Sequence, residues 1–127
     1  MALDWSCGAL AEGLRCYGDG EFFNAHEHWE EAWLGSKEPE KTFLQALIQI
    51  AAAFHHLQRG NLLGTRSLLA AAGKRLERYG PDFGGVAVEP LRKNLKAWLE
   101  VLETAECAPR IAFPAILCPP DAGSGAR

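Results

Sequence analysis

The segment from residue 40 to residue 59 constrains the fold more than any other part of the chain. Its main apolar residues recur at the helical spacing of three and four: Phe43, Leu47, Ile50, Phe54 and Leu57. Further apolar residues widen this stripe until little polar face remains: Leu44, Ile48, Ala51 and Ala52. A helix that is apolar on nearly all sides is usually central to its fold. We therefore predict an all-α protein built around this helix.

Four further helices are predicted around the central one. Their expected ranges are 3 or 6 to 17, 21–34, 62–79 and 89–104, and glycine-containing turns separate most of them. Asp19 is predicted to cap the second helix. The pattern predicts a five-helix bundle of two αα-hairpins plus a C-terminal helix and an extended tail. We expect one all-α domain over residues 1–118 and a flexible C-terminal tail over residues 119–127.

Composition narrows the classes of function. The chain has 127 residues, of which 48% are hydrophobic, and a formal net charge of -3 without a basic stripe. Nucleic acids and anionic membranes both select clustered Lys and Arg, so neither is an expected partner. The apolar run at residues 47–54 is too short to cross a bilayer. The four cysteines form no Cys-x-x-Cys pair and no secretory signal is visible, so we expect free thiols in the cytoplasm.

The second predicted helix places polar groups on an apolar face. Its stripe is Phe22, His26, Trp29 and Trp33. Glu30 lies one turn after His26, where their side chains meet, and Glu27 lies further round. The resulting His-Glu-x-x-Glu pattern is similar to the zinc-protease pattern His-Glu-x-x-His with its second His replaced. His26 and Glu30 are therefore candidate ligands for one metal ion.

The central helix offers partners for these groups. Because the loop between the second and third helices is short, the two helices should be antiparallel neighbours. Counting outward from that loop places Gln45 or Gln49 near Glu30, and His55 about a turn beyond His26. We expect these five side chains to converge along a buried polar seam between the helices.

Three interpretations of the seam remain open. It is an internal hydrogen-bond network that fixes helix register, which we favour; a pocket for a small molecule or peptide lined by Trp29 and Trp33; or a metal-dependent hydrolytic centre. In the last, His26 and Glu30 are the ligands and Glu27 is the base. If the seam is buried, Glu30→Ala should destabilise the fold markedly by leaving buried donors without a partner.

Two segments carry a family resemblance. The runs from Phe22 to Trp33 and from Phe43 to His56, the latter followed by Gly60-Asn61, resemble the paired signatures of domain-of-unknown-function family 309. The resemblance implies a small all-α bacterial or archaeal protein without an established activity. It also implies that the family's recurring positions are His26, Glu27, Glu30, Trp33, Gln45 and His55. Ala46 departs from the family, which often has Gly after the Gln.

These observations lead to one functional expectation and one alternative. We expect a non-catalytic binding or interaction module without a cofactor, whose cluster comprises His26, Glu27, Glu30, Trp33, Gln45, Gln49 and His55. The expected partners are a second copy of the chain in a homodimer, and an unidentified small molecule or protein. The alternative is a metal-dependent hydrolase that holds a divalent ion such as zinc.

Overall fold

A computed structural model describes residues 3–116 of the chain. Its helices are α1 (Gly8–Gly18), α2 (Phe22–Leu34), α3 (Glu40–Gln58), α4 (Leu62–Leu76) and α5 (Val88–Leu102). Two short strands, β1 (Asp82–Phe83) and β2 (Val86–Ala87), join α4 to α5. The predicted all-α fold with five helices is confirmed. The predicted tail, residues 119–127, lies outside the described residues.

The helices pack mainly against their neighbours in sequence. α2 packs on α1 and on α3, α3 packs on α4, and α4 packs on α5. As predicted, α3 is the central helix, since it contributes ten buried residues, more than any other helix. α2, α3 and α4 therefore form a layer with α3 in the middle.

The inner side of α3 meets an aromatic core. The Phe54 ring lies 5.6 Å from Phe22, 5.0 Å from Trp98 of α5 and 4.9 Å from Phe113. Phe113 belongs to the extended segment that follows α5. Hydrogen bonds hold this segment, because Tyr17 Oη donates to the Pro114 carbonyl at 2.6 Å and Trp98 Nε1 donates to that of Ala112 at 3.0 Å. The extended segment thus closes the core between α2, α3 and α5, where Phe113 packs on Phe22, Phe54 and Trp98.

The sequence-based assignments need four corrections. α1 begins at Gly8, later than expected, and α4 ends at Leu76 instead of residue 79. Asp19 is the C-cap residue of α1, and the N-cap of α2 is Glu21, which makes no side-chain capping bond. Residues 80–88, which lie between the predicted fourth and fifth helices, include the antiparallel β1–β2 pair. Gly84 and Gly85 connect these strands with positive φ angles of 57° and 82°, which suit a tight hairpin turn.

Within residues 3–116, no helix combines the length and apolar character needed to cross a membrane.

Candidate functional site

Trp29 sets the orientation of α2. Its side chain is fully buried, stacks on Tyr17 at 5.8 Å and meets Trp5 edge-on at 6.3 Å. Its indole N–H donates to the Leu10 carbonyl of α1 at 3.2 Å. Because the indole is held on several sides, α2 cannot rotate without breaking these contacts. This orientation of α2 directs the side chains of His26, Glu27 and Glu30 towards α3 and solvent.

His26, Glu27 and Glu30 form a compact donor set on one turn of α2. One ligand atom from each lies within 4.8 Å of the other two. His26 is half-buried, whereas both carboxylates are exposed. Among the described residues, no hydrogen bond or ion pair joins the three side chains to each other. The donors converge on a common point without satisfying one another.

The imidazole of His26 contains an unsatisfied polar atom. Its Nδ1 is buried and has no hydrogen-bond partner within residues 3–116. Burying a polar atom without a partner costs about 1–3 kcal/mol. A histidine nitrogen can recover that cost by binding a proton donor, a water molecule or a metal ion.

The prediction of a buried polar seam is wrong. Glu27 and Glu30 are exposed, and His26, Gln45, Gln49 and His55 are half-buried. The cause is the set of residues that α2 buries: with Phe22, Ala25 and Trp29 in the core, Glu27 and Glu30 point to solvent. Glu30→Ala therefore orphans no buried donor, and the marked destabilisation expected from the sequence no longer follows.

The amides of α3 do not join the α2 donor set. Gln49 accepts a hydrogen bond from Nε of Arg75 at 3.2 Å. Arg75 belongs to α4, which packs on the side of α3 away from α2. Gln45 lines a small surface depression together with Trp33, Lys41 and Arg75. The hydrogen-bonded network that we favoured from the sequence is therefore contradicted, since the predicted members face different neighbours.

His55 is kept apart from His26 by an aromatic ring. Phe23 lies between them, 5.9 Å from the His26 ring and 5.2 Å from the His55 ring. Desolvation by burial lowers the pKa of His55, and the positive charge of Arg59 lowers it further. His55 thus favours its neutral form and belongs to an aromatic patch beside the donor set.

Trp33 and Trp29 have different environments. Trp33 is half-buried, with the Lys41 ammonium 4.2 Å from the centre of its ring, a cation–π contact. Trp29 lies in the core and cannot line a pocket with it. The predicted pocket between these two indoles is therefore not formed.

Sequence reasoning missed several residues at this surface. Phe23 is 49% exposed despite its size, and Arg75 and Lys41 border the depression beside Trp33. No local pattern in the sequence shows that Arg75 of α4 reaches Gln49 of α3. The exposure of Phe23 is predictable from the sequence. Phe22 already occupies the apolar stripe of α2, and the next side chain along a helix points in a different direction.

Two comparisons with known proteins find similar sequences, one of them over the segment that carries the donor set. A family model described as Domain of unknown function (DUF309) matches residues 10–68, which include α2, α3 and the donor set. An uncharacterised protein of Aquifex aeolicus (strain VF5) is 31% identical over 98 residues. That alignment covers 76% of this chain, which spans 28% of the relative's length. Residues 10–68 thus match the family of unknown function that the two signatures resemble.

Proposed function

We propose that this protein is a non-catalytic binding module and that His26, Glu27 and Glu30 bind a divalent cation. The observation that carries the proposal is the convergence of three unpaired ligand atoms within 4.8 Å of one another on one helical turn. Ligands that share a zinc ion at about 2.0–2.2 Å stand roughly 3–4 Å apart, so only small side-chain movements are required.

The chemistry of the donors suits a cation of intermediate character. Imidazole favours zinc and related transition metals, and carboxylates also accept them. A cation held through Nδ1 of His26 would supply the partner that this buried atom lacks. It would also relieve the repulsion between the neighbouring carboxylates of Glu27 and Glu30, which have no basic partner among the described ion pairs.

The direct experiment is a calorimetric titration of chelator-treated protein with zinc chloride. We expect one equivalent to bind, and His26→Ala to weaken binding at least about tenfold because one of the three zinc ligands is lost. His28→Ala is the matched control, since His28 is a half-buried histidine on the same helix outside the donor set. Equal affinities for the wild type and His26→Ala would refute the cation site.

A metal-dependent hydrolase is the second candidate, favoured by the exposure of both carboxylates. In this version His26 and Glu30 hold the ion and Glu27 is free to act as a general base on a metal-bound water. Glu27→Gln separates the two candidates. The binding module predicts weaker zinc binding and no turnover of a chromogenic ester or phosphodiester in any variant. The hydrolase predicts turnover by the wild type that Glu27→Gln abolishes while zinc binding persists.

Setting and partners are part of the same proposal. We propose a prokaryotic, cytoplasmic protein that binds neither nucleic acid nor membranes. The bacterial relative supports the first point, and the free thiols of Cys7, Cys16 and Cys107 suit a reducing compartment. Cys118 lies outside the described residues.

A further inference from the structure

The layer of α2, α3 and α4 has an outer face that no described residue covers. It carries Phe23, Glu27, Glu30 and Leu34 from α2, Lys41, Gln45, Gln49, Ala52, His55 and His56 from α3, and Leu68, Ala71 and Arg75 from α4. Contacts across the helices show that these side chains share one face. Phe23 touches His55, Lys41 touches Trp33, and Arg75 reaches Gln49. We call this surface the outer face.

The two edges of the outer face carry opposite charges. On the outer face, α2 carries Glu27 and Glu30, whereas α4 carries Arg75. Arg66 and Lys74 of α4 line depressions that are bordered by α5. Between Thr42 and Gln58, α3 has no side chain with a full charge apart from its histidines. The outer face therefore has an acidic edge on α2, formed by Glu27 and Glu30, and a basic edge on α4, formed by Arg75. Lys41 adds a positive charge at the N-terminal end of α3, over the Trp33 ring.

We propose that a second copy of this chain covers the outer face and forms a two-fold symmetric dimer. In such an interface one patch meets itself, so it must be self-complementary. A two-fold axis that runs along α3 brings α2 of each copy opposite α4 of the other. The acidic edge then meets the basic edge twice. A two-fold axis across α3 would instead place α2 on α2 and α4 on α4, where like charges repel.

The centre and the size of the outer face fit this pairing. Under an axis along α3, each central residue faces its own counterpart, and the small side chain of Ala52 lets the two helices approach. Half-buried Gln45 and exposed Phe23 and Leu34 add polar and apolar contact area. Three helices of 13–19 residues span about 20–28 Å in length. With neighbouring helix axes roughly 9–10 Å apart, the three helices form a face of about 500–800 Å². This area is close to the ~800 Å² that each partner usually buries in a stable interface.

Sedimentation equilibrium in buffer with chelator and no added metal tests the pairing independently of the cation site. We expect a species of twice the chain mass of 13.9 kDa. Ala52→Arg should give a monomer, because two arginines would meet across the axis. Ala97→Arg should remain dimeric, since Ala97 is an exposed alanine on α5 outside the outer face. A monomeric wild type, or an Ala52→Arg variant that stays as dimeric as Ala97→Arg, would overturn the proposal.

A charge exchange tests the orientation of the two copies. Glu30→Lys and Arg75→Glu should each weaken the dimer at least about fivefold, and the double variant should restore most of the loss. Circular dichroism confirms that each variant folds. If the double variant dimerises more weakly than both single variants, α2 does not face α4 of the second copy and the axis along α3 is wrong. Failure here leaves the zinc titration unaffected, so the two proposals fail separately.

Discussion

At the scale of single residues, the contact between Gly13 and Trp29 decides where the donor set points. Trp29 is fully buried against α1, and its indole occupies the space where a side chain at residue 13 would lie. α1 and α2 can therefore approach closely only because residue 13 is glycine. This contact fixes the rotation of α2, and the exposure of Glu27 and Glu30 follows from that rotation.

Gly13→Ala should destabilise the protein. The added Cβ would overlap the Trp29 indole, and overpacking of a buried contact typically costs about 1–3 kcal/mol, partly offset by the helix propensity of alanine at up to ~1 kcal/mol. Gly73→Ala on α4 is the matched control, because a Cβ there meets nothing within 4 Å. We expect it to raise the unfolding free energy by about 0.4–1 kcal/mol. Urea denaturation of both variants measures the difference, and equal stabilisation by both would contradict this account of Gly13.

His55 makes stability depend on pH at the aromatic patch. Burial and the neighbouring positive charges of Arg59, His56 and His26 lower its pKa below the ordinary value in the folded state. The unfolded chain therefore binds the proton more readily. The contribution of His55 is fully present above pH ~6.5 and is lost as the pH falls through the lower, folded-state pKa.

His55→Gln should remove that contribution to the pH dependence. Urea denaturation at several pH values between 8 and 5 measures the free energy of unfolding. We expect the wild type to lose more stability than His55→Gln as the pH falls, because glutamine does not titrate. Parallel profiles for the two proteins would show that His55 protonates equally well in the folded and unfolded chains.

At the scale of the helices, the α3–α4 pair depends on one buried hydroxyl. Thr65 is the sole fully buried polar residue within residues 3–116, and its Oγ1 donates to the carbonyl of Asn61 at 2.8 Å or of Ala53 at 3.1 Å. Of these two bonds, the one to Ala53 links α4 to α3. The same pair is fixed at its turn by Asn61, whose side chain accepts from the Gly64 backbone N–H at 2.9 Å as the cap of α4.

Thr65→Val tests the hydroxyl while it preserves the shape of the side chain. We expect a loss of about 1 kcal/mol, since one net hydrogen bond is removed and little volume changes. Ser67→Ala is the control, because Ser67 is exposed on the same helix. Thermal unfolding of both variants compares them. If Thr65→Val melts at the wild-type temperature, the bond to α3 adds no net stability.

The periodicity of the sequence predicted the helices well but placed the site less well. Apolar spacing identified α3 as central and located every helix, because burial of an apolar stripe is a local signal. The same reasoning predicted that Glu30 and Gln49 are buried. Helical periodicity does not show how much of each side chain a neighbouring helix covers. Both outcomes depend on tertiary packing: the contacts of Trp29 with α1 turn Glu30 to solvent, and Gln49 accepts a hydrogen bond from Arg75. The β1–β2 hairpin was missed because each strand has only two residues.

At the scale of the whole molecule, the proposed cation site and the proposed dimer interface overlap at the α2 edge of the outer face. Glu27 and Glu30 belong both to the donor set and to the acidic side of the outer face. A bound divalent cation would add two positive charges where Arg75 of a second copy is expected to lie. Thermodynamic reciprocity requires that, if the cation weakens pairing, pairing weakens the affinity for the cation by the same factor.

Zinc should therefore shift the protein towards the monomer. Sedimentation equilibrium of the wild type without metal and at saturating zinc should show the dimer dissociation constant rising by roughly fivefold or more, a typical coupling between two sites. His26→Ala is the control, because it retains both carboxylates but loses an expected zinc ligand, so its pairing should respond little to zinc. Zinc that binds stoichiometrically to the wild type yet leaves the dimer unchanged, or tightens it, would show that the two carboxylates do not face the basic edge of the second copy.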